Sequence, residues 1–460
     1  MFKTEKTSLT TDDIEEYITK HEHENVPKLK KMWRYYIGDN PGIKDRPTAK
    51  EGNPDNKTAV PYGRKIITTF QGYAYRPRYI TYNQGTADEA YYNQLMATFD
   101  ANKEWIKTSR NGRNTGIYGL SHEMVYIDGV MGKDLSVKAE PRFFNVDPKE
   151  IILIYDYSPE PVKKIGIRYY AISDGVFKVE VYYPSKVQVY ERKLDQSGKY
   201  NYSAPAESVN FFDAIPIVEY AMGDEKEGLI EPVVSLIDDY DVLVSDSLIE
   251  FSRFANAYLR IVGAGIVDPQ GNPKENRKIM QRIKEMRIFN NLQKSDDVSF
   301  LTKDIPKEFI DFMTSELKKQ IHVQSHVPDF AEMTGAISGA AVQRMLFDFE
   351  NVCSSAEADF DVGLNERIAL INTIYAKARK PVSEGIVINH KRNIPLNLQD
   401  FAQAALTLKQ AGFSRKLIAS VLPDDILSDV EEELAEQDKD MESTFPDVDN
   451  VPMNEEPIAE

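Results

Sequence analysis

From about Ser338 to Arg379, apolar residues recur every three or four positions: Val342, Met345, Phe349, Val352, Ala356, Phe360, Leu364, Ile368, Ile371 and Tyr375. That spacing marks one face of a single α-helix, about 60 Å long at 1.5 Å per residue. A second run, Val233, Ile237, Tyr240, Val244, Leu248, Phe251, Ala255, Tyr258 and Val262, reads as one helix from Glu231 to Val262, about 48 Å long. Helices of this length without internal caps belong to coiled coils, membrane spans or repeating assemblies. No stretch approaches the roughly 18 uncharged apolar residues of a span, and the stripe is too wide for a two-stranded seam. Assembly remains.

The chain ahead of these helices is mixed. Thr11 and Asp12 open a helix through about Lys20, and a second stretch from Leu29 to Ile37 stops at Gly38. Asp39 to Lys57 is a polar loop, and helices are expected near Tyr62 to Gly72 and Asp88 to Asn111. Between Ser121 and Tyr220 lie short β-rich runs, among them HEMVYID, EIILIYD, KKIGIRYYAI, VFKVEVYYP and KVQVYERK. Asp174-Gly175 and Ser197-Gly198 separate them as turns, which predicts antiparallel hairpins or a meander. The fold class is α+β.

A small module from Gly263 to Asp304 interrupts the helices: a turn-rich excursion, a short basic helix from Lys274 to Met286, and RIFNNL and DVSFLTK as a strand pair. Pro306 opens a helix carrying Phe309, Phe312, Met313, Leu317 and Ile321, and Pro328 ends it. The segment Asp329 to Gly339 must then reverse the chain, with Gly335 and Gly339 supplying backbone freedom. Phe401 to Leu422 reads as a helical hairpin, and the chain beyond Ser443 as disordered.

Charge and motifs exclude several functions. Asp424 to Glu460 holds 15 acidic residues against Lys439 alone, a net −14 of the chain's −17, leaving −3 for the rest. A static grip on nucleic acid calls for a basic stripe, and none is present. DNA that must keep moving tolerates such a surface. The one cysteine, Cys353, rules out an internal disulfide and a Cys-based zinc site, reads as a small buried hydrophobe, and fits a reducing compartment. The N-terminus has no apolar signal-peptide core. No GxxxxGK[ST] cradles phosphate, and Gly112, Gly116 and Gly119 do not form a dinucleotide loop but mark a helix end. His322 and His326 stand four apart, yet no Glu makes them a catalytic HExxH, so they read as surface imidazoles. Asp238, Asp239 and Asp241, and Asp359 with Asp361, could hold Mg²⁺ for nuclease chemistry. Adjacent carboxylates on a helix diverge by about 100°, so the plainer reading is a solvated acidic face. No catalytic residue, metal or cofactor is assigned.

Four blocks carry a resemblance: WRYYIGDNPGI; PDNKTAVPYGRKIITTFQGYAYRPRYITY; AIPIVEYAMGDEKEGLIEPVVSLIDDYDVLVSDSLIEFSRFANAYLRIVG; and MTGAISGAAVQRMLFDFENVCSSAEADFDVGLNERI. In this order, over most of residues 30 to 380, they resemble the portal proteins of tailed bacteriophages that infect Gram-positive bacteria. Pro61 stands where that family commonly has Asn, and Arg76 where it commonly has Gly. The resemblance implies a portal fold: residues 1–225 as wing, 226–263 and 305–327 as stem helices, 264–304 as clip, 328–339 as tunnel loop, 340–379 as long wing helix, 380–440 as crown, and 441–460 as disordered acidic tail.

It further implies a ring of about twelve subunits, at one capsid vertex of the virion after assembly in the host cytoplasm, conducting double-stranded DNA without regard to sequence. Implied partners are the terminase motor, major capsid and scaffolding proteins and head-tail connector or adaptor proteins, with no membrane. Val244, Leu248, Phe251, Phe309 and Phe312 would pack between subunits. Asp329, Glu332, Met333, Thr334, Gly335, Ser338 and Gly339 would meet DNA at the tunnel loop, and Lys318 and Lys319 would face the lumen or remain ordinary surface lysines. Lys274, Arg277, Lys278, Arg282, Lys284 and Arg287 would dock the motor and adaptor through the clip. The alternatives are a divalent-metal nuclease or DNA-processing enzyme built on the acidic clusters, and a scaffold without a channel.

Overall fold

The computed structural model describes residues 2–50, 54–129, 140–255, 258–262, 277–278, 281, 297–301, 307–330, 339–393 and 398–414. The chain divides into two units, one of Met1–Glu332 with Leu346–Asn393, the other of Met333–Met345 with Ile394–Glu460.

In the first unit, β1 (Phe2–Lys3) leads to α1 (Thr11–Ile37), where Thr10 and Asp13 form a reciprocal capping box and Gly38 closes the helix at φ 82°. The expected break near Lys20 does not occur: Pro27 lies inside one 27-residue helix. Proline costs a helix about 3 kcal/mol, but Ile14, Ile18, Val26, Leu29 and Met32 are buried along one side, each contributing about 1.5–3 kcal/mol. The polar loop contains a short α2 (Pro41–Lys44), followed by α3 (Tyr62–Ala74) and β2 (Ile80–Asn83). The expected helix to Asn111 is two, α4 (Glu89–Asn102) and α5 (Glu104–Tyr118), broken at Lys103 with φ 51°. Gly119 ends α5 as expected. Gly112 and Gly116 instead lie within it, where a Cβ would collide with Tyr75 and Phe70 respectively.

The β-rich region comprises β3 (Leu120–Asp128), β4 (Glu140–Val146), β5 (Ile151–Tyr155), β6 (Lys163–Ser173), β7 (Val176–Tyr182), β8 (Lys186–Leu194), β9 (Tyr200–Tyr202), β10 (Ala206–Val209) and β11 (Ile217–Ala221). One sheet runs β1-β5-β6-β7-β8-β10 with β9 also on β8; a second runs β11-β3-β4. Apart from the parallel β1–β5 pair, both are antiparallel. β5 shows why they stack. Its five apolar residues alternate, Ile152 and Ile154 joining Leu9, Ile14 and Ile18 on one face, Ile151, Leu153 and Tyr155 joining Met124, Val146 and Ile217 on the other. A strand buried on both faces reads as a continuous apolar run.

After β11 come α6 (Val234–Ala255), β12 (Tyr258–Val262), β13 (Asp297–Leu301), α7 (Lys307–Gln324), α8 (Gly339–Lys377) and β14 (Val387–His390), which pairs with β2. α8 fulfils the expectation of one very long helix, 39 residues, with Phe349, Ala356, Phe360, Leu364, Ile368, Ile371 and Tyr375 of its stripe buried, whereas Met345 is exposed and Val352 half-buried, with Cys353 buried beside it. Set into that stripe, Arg367 is fully buried: its Nε meets Glu123 Oε1 at 2.6 Å and its Nη1 meets Glu104 Oε1 at 2.9 Å and Thr108 Oγ1 at 3.0 Å. α8 is thereby fastened to β3 and α5. In the second unit, α9 (Leu398–Gln410) ends before Gly412 at φ 80°. The expected hairpin beyond residue 414 and the acidic tail lie outside the described residues.

β14 is held to α8 by charge. His390 Nε2 lies 2.7 Å from Asp361 and Nδ1 3.4 Å from Glu357, while Arg392 is bound to Glu350 and Glu357. Burial opposes the imidazolium, but the two carboxylates outweigh it and raise the His390 pKa to about 9. A folded-state pKa above the unfolded value of about 6.5 gives stability that is complete below pH 6.5 and lost as pH rises through 9. Thermal melts should lose on the order of 2–3 kcal/mol of stability between pH 6.5 and 10, and His390→Gln should remove that dependence. An unchanged profile in the variant would refute the assignment.

Candidate functional site

Of the acidic residues read as a solvated face on α6, Asp239 is exposed as expected, but Asp238 and Asp241 are not. Asp241 is fully buried and accepts from Asn40 Nδ2 at 2.5 Å and Val60 N at 2.8 Å; Ser245, one turn on, accepts from Thr58 N at 3.0 Å. Asp238 accepts from Tyr35 Oη at 2.7 Å. Gly42 permits this approach, since a Cβ there would stand 2.1 Å from Asp238 Oδ1. Burial raises the pKa of both carboxylates, against the hydrogen bonds that lower it. Their lone pairs are directed at α1 and the α2 loop rather than at a common ion. These residues fasten the start of α6 to the N-terminal helices. The partner of Asp359 is the Gly223 N–H at 3.0 Å, and Asp361 takes His390.

α6 also stops short of Val262. Tyr258–Val262 pairs antiparallel with Asp297–Leu301, Val262 opposite Asp297. Tyr-Leu-Arg-Ile-Val is β-branched and aromatic enough to prefer a ladder, so DVSFL pairs here; RIFNNL, its expected partner, lies outside the described residues. The ribbon brings residues 262 and 297 together and closes the intervening segment into an insertion. Within it Arg277 and Lys278 are helical and exposed; Lys274, Arg282, Lys284 and Arg287 lie outside the described residues.

α7 packs on α6. It ends at Gln324, and His326 takes φ 56° beyond it, so His322 and His326 do not share a helix face. His322 is no surface imidazole: it is buried, with Nδ1 2.9 Å from the Val327 carbonyl, and burial lowers its pKa. Among the described residues no group of three His, Cys, Asp or Glu side chains is placed to hold a metal. Asp329 is engaged within the chain. In the single chain its carboxylate is buried between Lys65 Nζ and Lys318 Nζ, each at 2.7 Å. Lys318 is thereby engaged, whereas Lys319 is exposed. Glu332, Met333, Thr334, Gly335 and Ser338 lie outside the described residues, and Gly339 begins α8.

Part of what α6 and α7 leave uncovered is apolar. Leu248 is 43% exposed, Phe251 63%, Phe309 58% and Phe312 63%; Val244 is half-buried. The residues of each pair stand three apart, on one side of their helix. Two helices each presenting large apolar side chains to solvent form the kind of surface that single soluble chains cover by association.

The family profile described as "Phage portal protein, SPP1 Gp6-like" matches residues 15–444. The chain belongs to that portal family. The resemblance read from the four blocks is thus established as to family. No curated protein matches the chain. Among solved structures, this portal-family chain is similar to chains in the neck of an empty gene transfer agent particle computed with C6 symmetry (11% identity, TM-score 0.47), the virion of a native gene transfer agent particle (10%, 0.46) and the neck of the native particle computed with C12 symmetry (10%, 0.48). Each alignment covers 86% of this chain and 94% of the other.

Several residues that hold α6 and Asp329 in place were not singled out in the sequence. Asn40, Thr58 and Tyr35 lie about 200 positions from the α6 groups they hold, and Lys65 is 264 from Asp329. Their side chains carry no local signal. The one available clue was on α6 itself, where Asp241 and Ser245 fall four apart among apolar residues, a spacing that buries polar groups and so demands donors.

Proposed function

We propose that the chain is the subunit of a closed ring of about twelve copies at one capsid vertex, through which double-stranded DNA enters during packaging and leaves at ejection. The family match over residues 15–444 carries this reading, and the uncovered apolar sides of α6 and α7 support ring closure. Residues 1–225 act as wing, α6 and α7 as stem, the β12/β13 ribbon and its insertion as clip, 328–339 as tunnel loop, 340–379 as long wing helix and 380–440 as crown. Against the stem bounds expected from sequence, residues 258–262 go with the clip. Glu332, Met333, Thr334 and Ser338 would touch DNA sterically, because the loop carries no cation to hold it. The ring would work in the virion and assemble in the host cytoplasm with capsid and scaffolding proteins. A separate terminase ATPase would supply the energy, and the connector would follow it. The chain itself would do no catalysis.

Solution mass tests ring closure: the account expects a species near twelve times 52.4 kDa, visible as a ring in negative stain. Monomer alone, both free and with capsid proteins, would refute it. The clip assignment has its own test. Arg277→Glu with Lys278→Glu should leave ring mass unchanged and weaken motor binding about tenfold, through loss of charge complementarity. Unaltered binding would remove the clip as the docking site.

A further inference from the structure

The connection from α3 to β2 is Arg76-Pro77-Arg78-Tyr79. The Tyr79 N–H donates to the Arg76 carbonyl at 3.0 Å, and Arg78 has φ 72°. With proline second and a positive φ third, this has the features of a type II turn, whose third position favours glycine because a Cβ is crowded there. An arginine at such a position is strained, and strain that persists points to a use for the side chain. The Arg78 guanidinium lies over the Trp105 ring, 4.9 Å from its centroid. Arg76 lies 5.2 Å from the Tyr79 ring centroid and donates to Tyr79 Oη at 3.0 Å and Asn393 Oδ1 at 3.3 Å.

Both arginines are exposed. Among the described residues no carboxylate forms an ion pair with either, as is also the case for Arg64, Arg110 and Arg113. What sets these two guanidiniums apart is that they stand at one turn, each braced on an aromatic ring.

We infer that the Arg76–Tyr79 turn contacts the phosphate backbone of double-stranded DNA, an inference that rests on the DNA-conducting reading of this chain. Guanidinium presents a planar fork of N–H donors that matches phosphate two oxygens at a time. Bracing on Trp105 and Tyr79 reduces the freedom lost when that fork is engaged. Only two such contacts per subunit make the grip weak and salt-sensitive, as DNA in motion requires.

The test measures retardation of a double-stranded oligonucleotide by assembled rings across a salt series. Wild-type rings should bind weakly, with a log–log salt slope that falls by about 1 for each phosphate contact removed. Arg78→Gly removes one guanidinium while relieving the turn, so its melting temperature should hold or rise as DNA binding falls. Arg76→Ala with Arg78→Gly should lose about two units of slope. Wild-type and variant rings that bind DNA alike, or not at all, would overturn the inference while leaving ring assembly intact. So would a loss of binding seen with poly-glutamate but not with DNA. Failure to form rings in the wild type would instead strike the underlying reading.

Discussion

A chain carrying Leu248→Asp and Phe251→Asp is expected to fold as the wild type does and to fail to assemble. Phe251 is 63% exposed in the single chain and Leu248 43%, so each substitution costs the monomer about 1 kcal/mol or less. In the proposed ring the same positions would be covered by a neighbour. Burying an unpaired carboxylate there costs several kcal/mol, repeated at every interface because a closed ring uses one heterologous contact throughout. Sedimentation should therefore show monomer with an unchanged melting temperature. Phe309→Asp with Phe312→Asp should do the same from the facing helix. Val244→Asp separates the effects less cleanly, because Val244 is half-buried within the chain. Rings of normal mass from both double variants would place the subunit contact elsewhere.

The largest expected effect on the fold itself is at Arg367. Its guanidinium is fully buried against Glu123 and Glu104, and lies 4.7 Å from the Phe143 ring centroid. Tyr82 Oη donates to Glu104 at 2.7 Å and Tyr220 Oη to Glu123 at 3.2 Å. Removing the cation leaves two carboxylates together without their charge partner, a loss of about 3–5 kcal/mol. Arg367→Met should lower the melting temperature sharply or leave the chain insoluble. Adding Glu104→Gln and Glu123→Gln should recover much of the loss, since the penalty lies in the stranded charges rather than in missing volume. A tolerated single variant would mean that the cluster is hydrated rather than dry.

Much of the architecture is written in local pattern. The three-and-four spacing of α8, the unbroken apolar run of β5 and the Gly-containing turns of the meander each state their element within a few residues. What escaped depends on distant partners. Helical periodicity continues through Tyr258 and Val262 because those residues suit either structure, and only the arrival of Asp297–Leu301 turns them into a strand. Pro27 predicts a break that tertiary burial overrides. Asp238 and Asp241 read as solvated because their donors, Tyr35 of α1 and Asn40 and the Val60 N–H of the loop after it, lie about 200 residues earlier. Arg367 did leave a trace: it falls three after Leu364 and four before Ile371, a charge inside the apolar stripe, and a buried charge demands an opposite one. Asp329 left none, since a loop aspartate looks the same whether it faces solvent or two lysines.

The account's central claim is that a single ring of this chain is the passage for DNA. It is tested most directly by counting copies of the chain per DNA-filled particle while measuring nuclease-protected DNA in heads assembled with and without it. The account predicts about twelve copies, clustered at one vertex, and no protected DNA in heads lacking the chain. Copies spread over all vertices, or heads that fill normally without the chain, would contradict it.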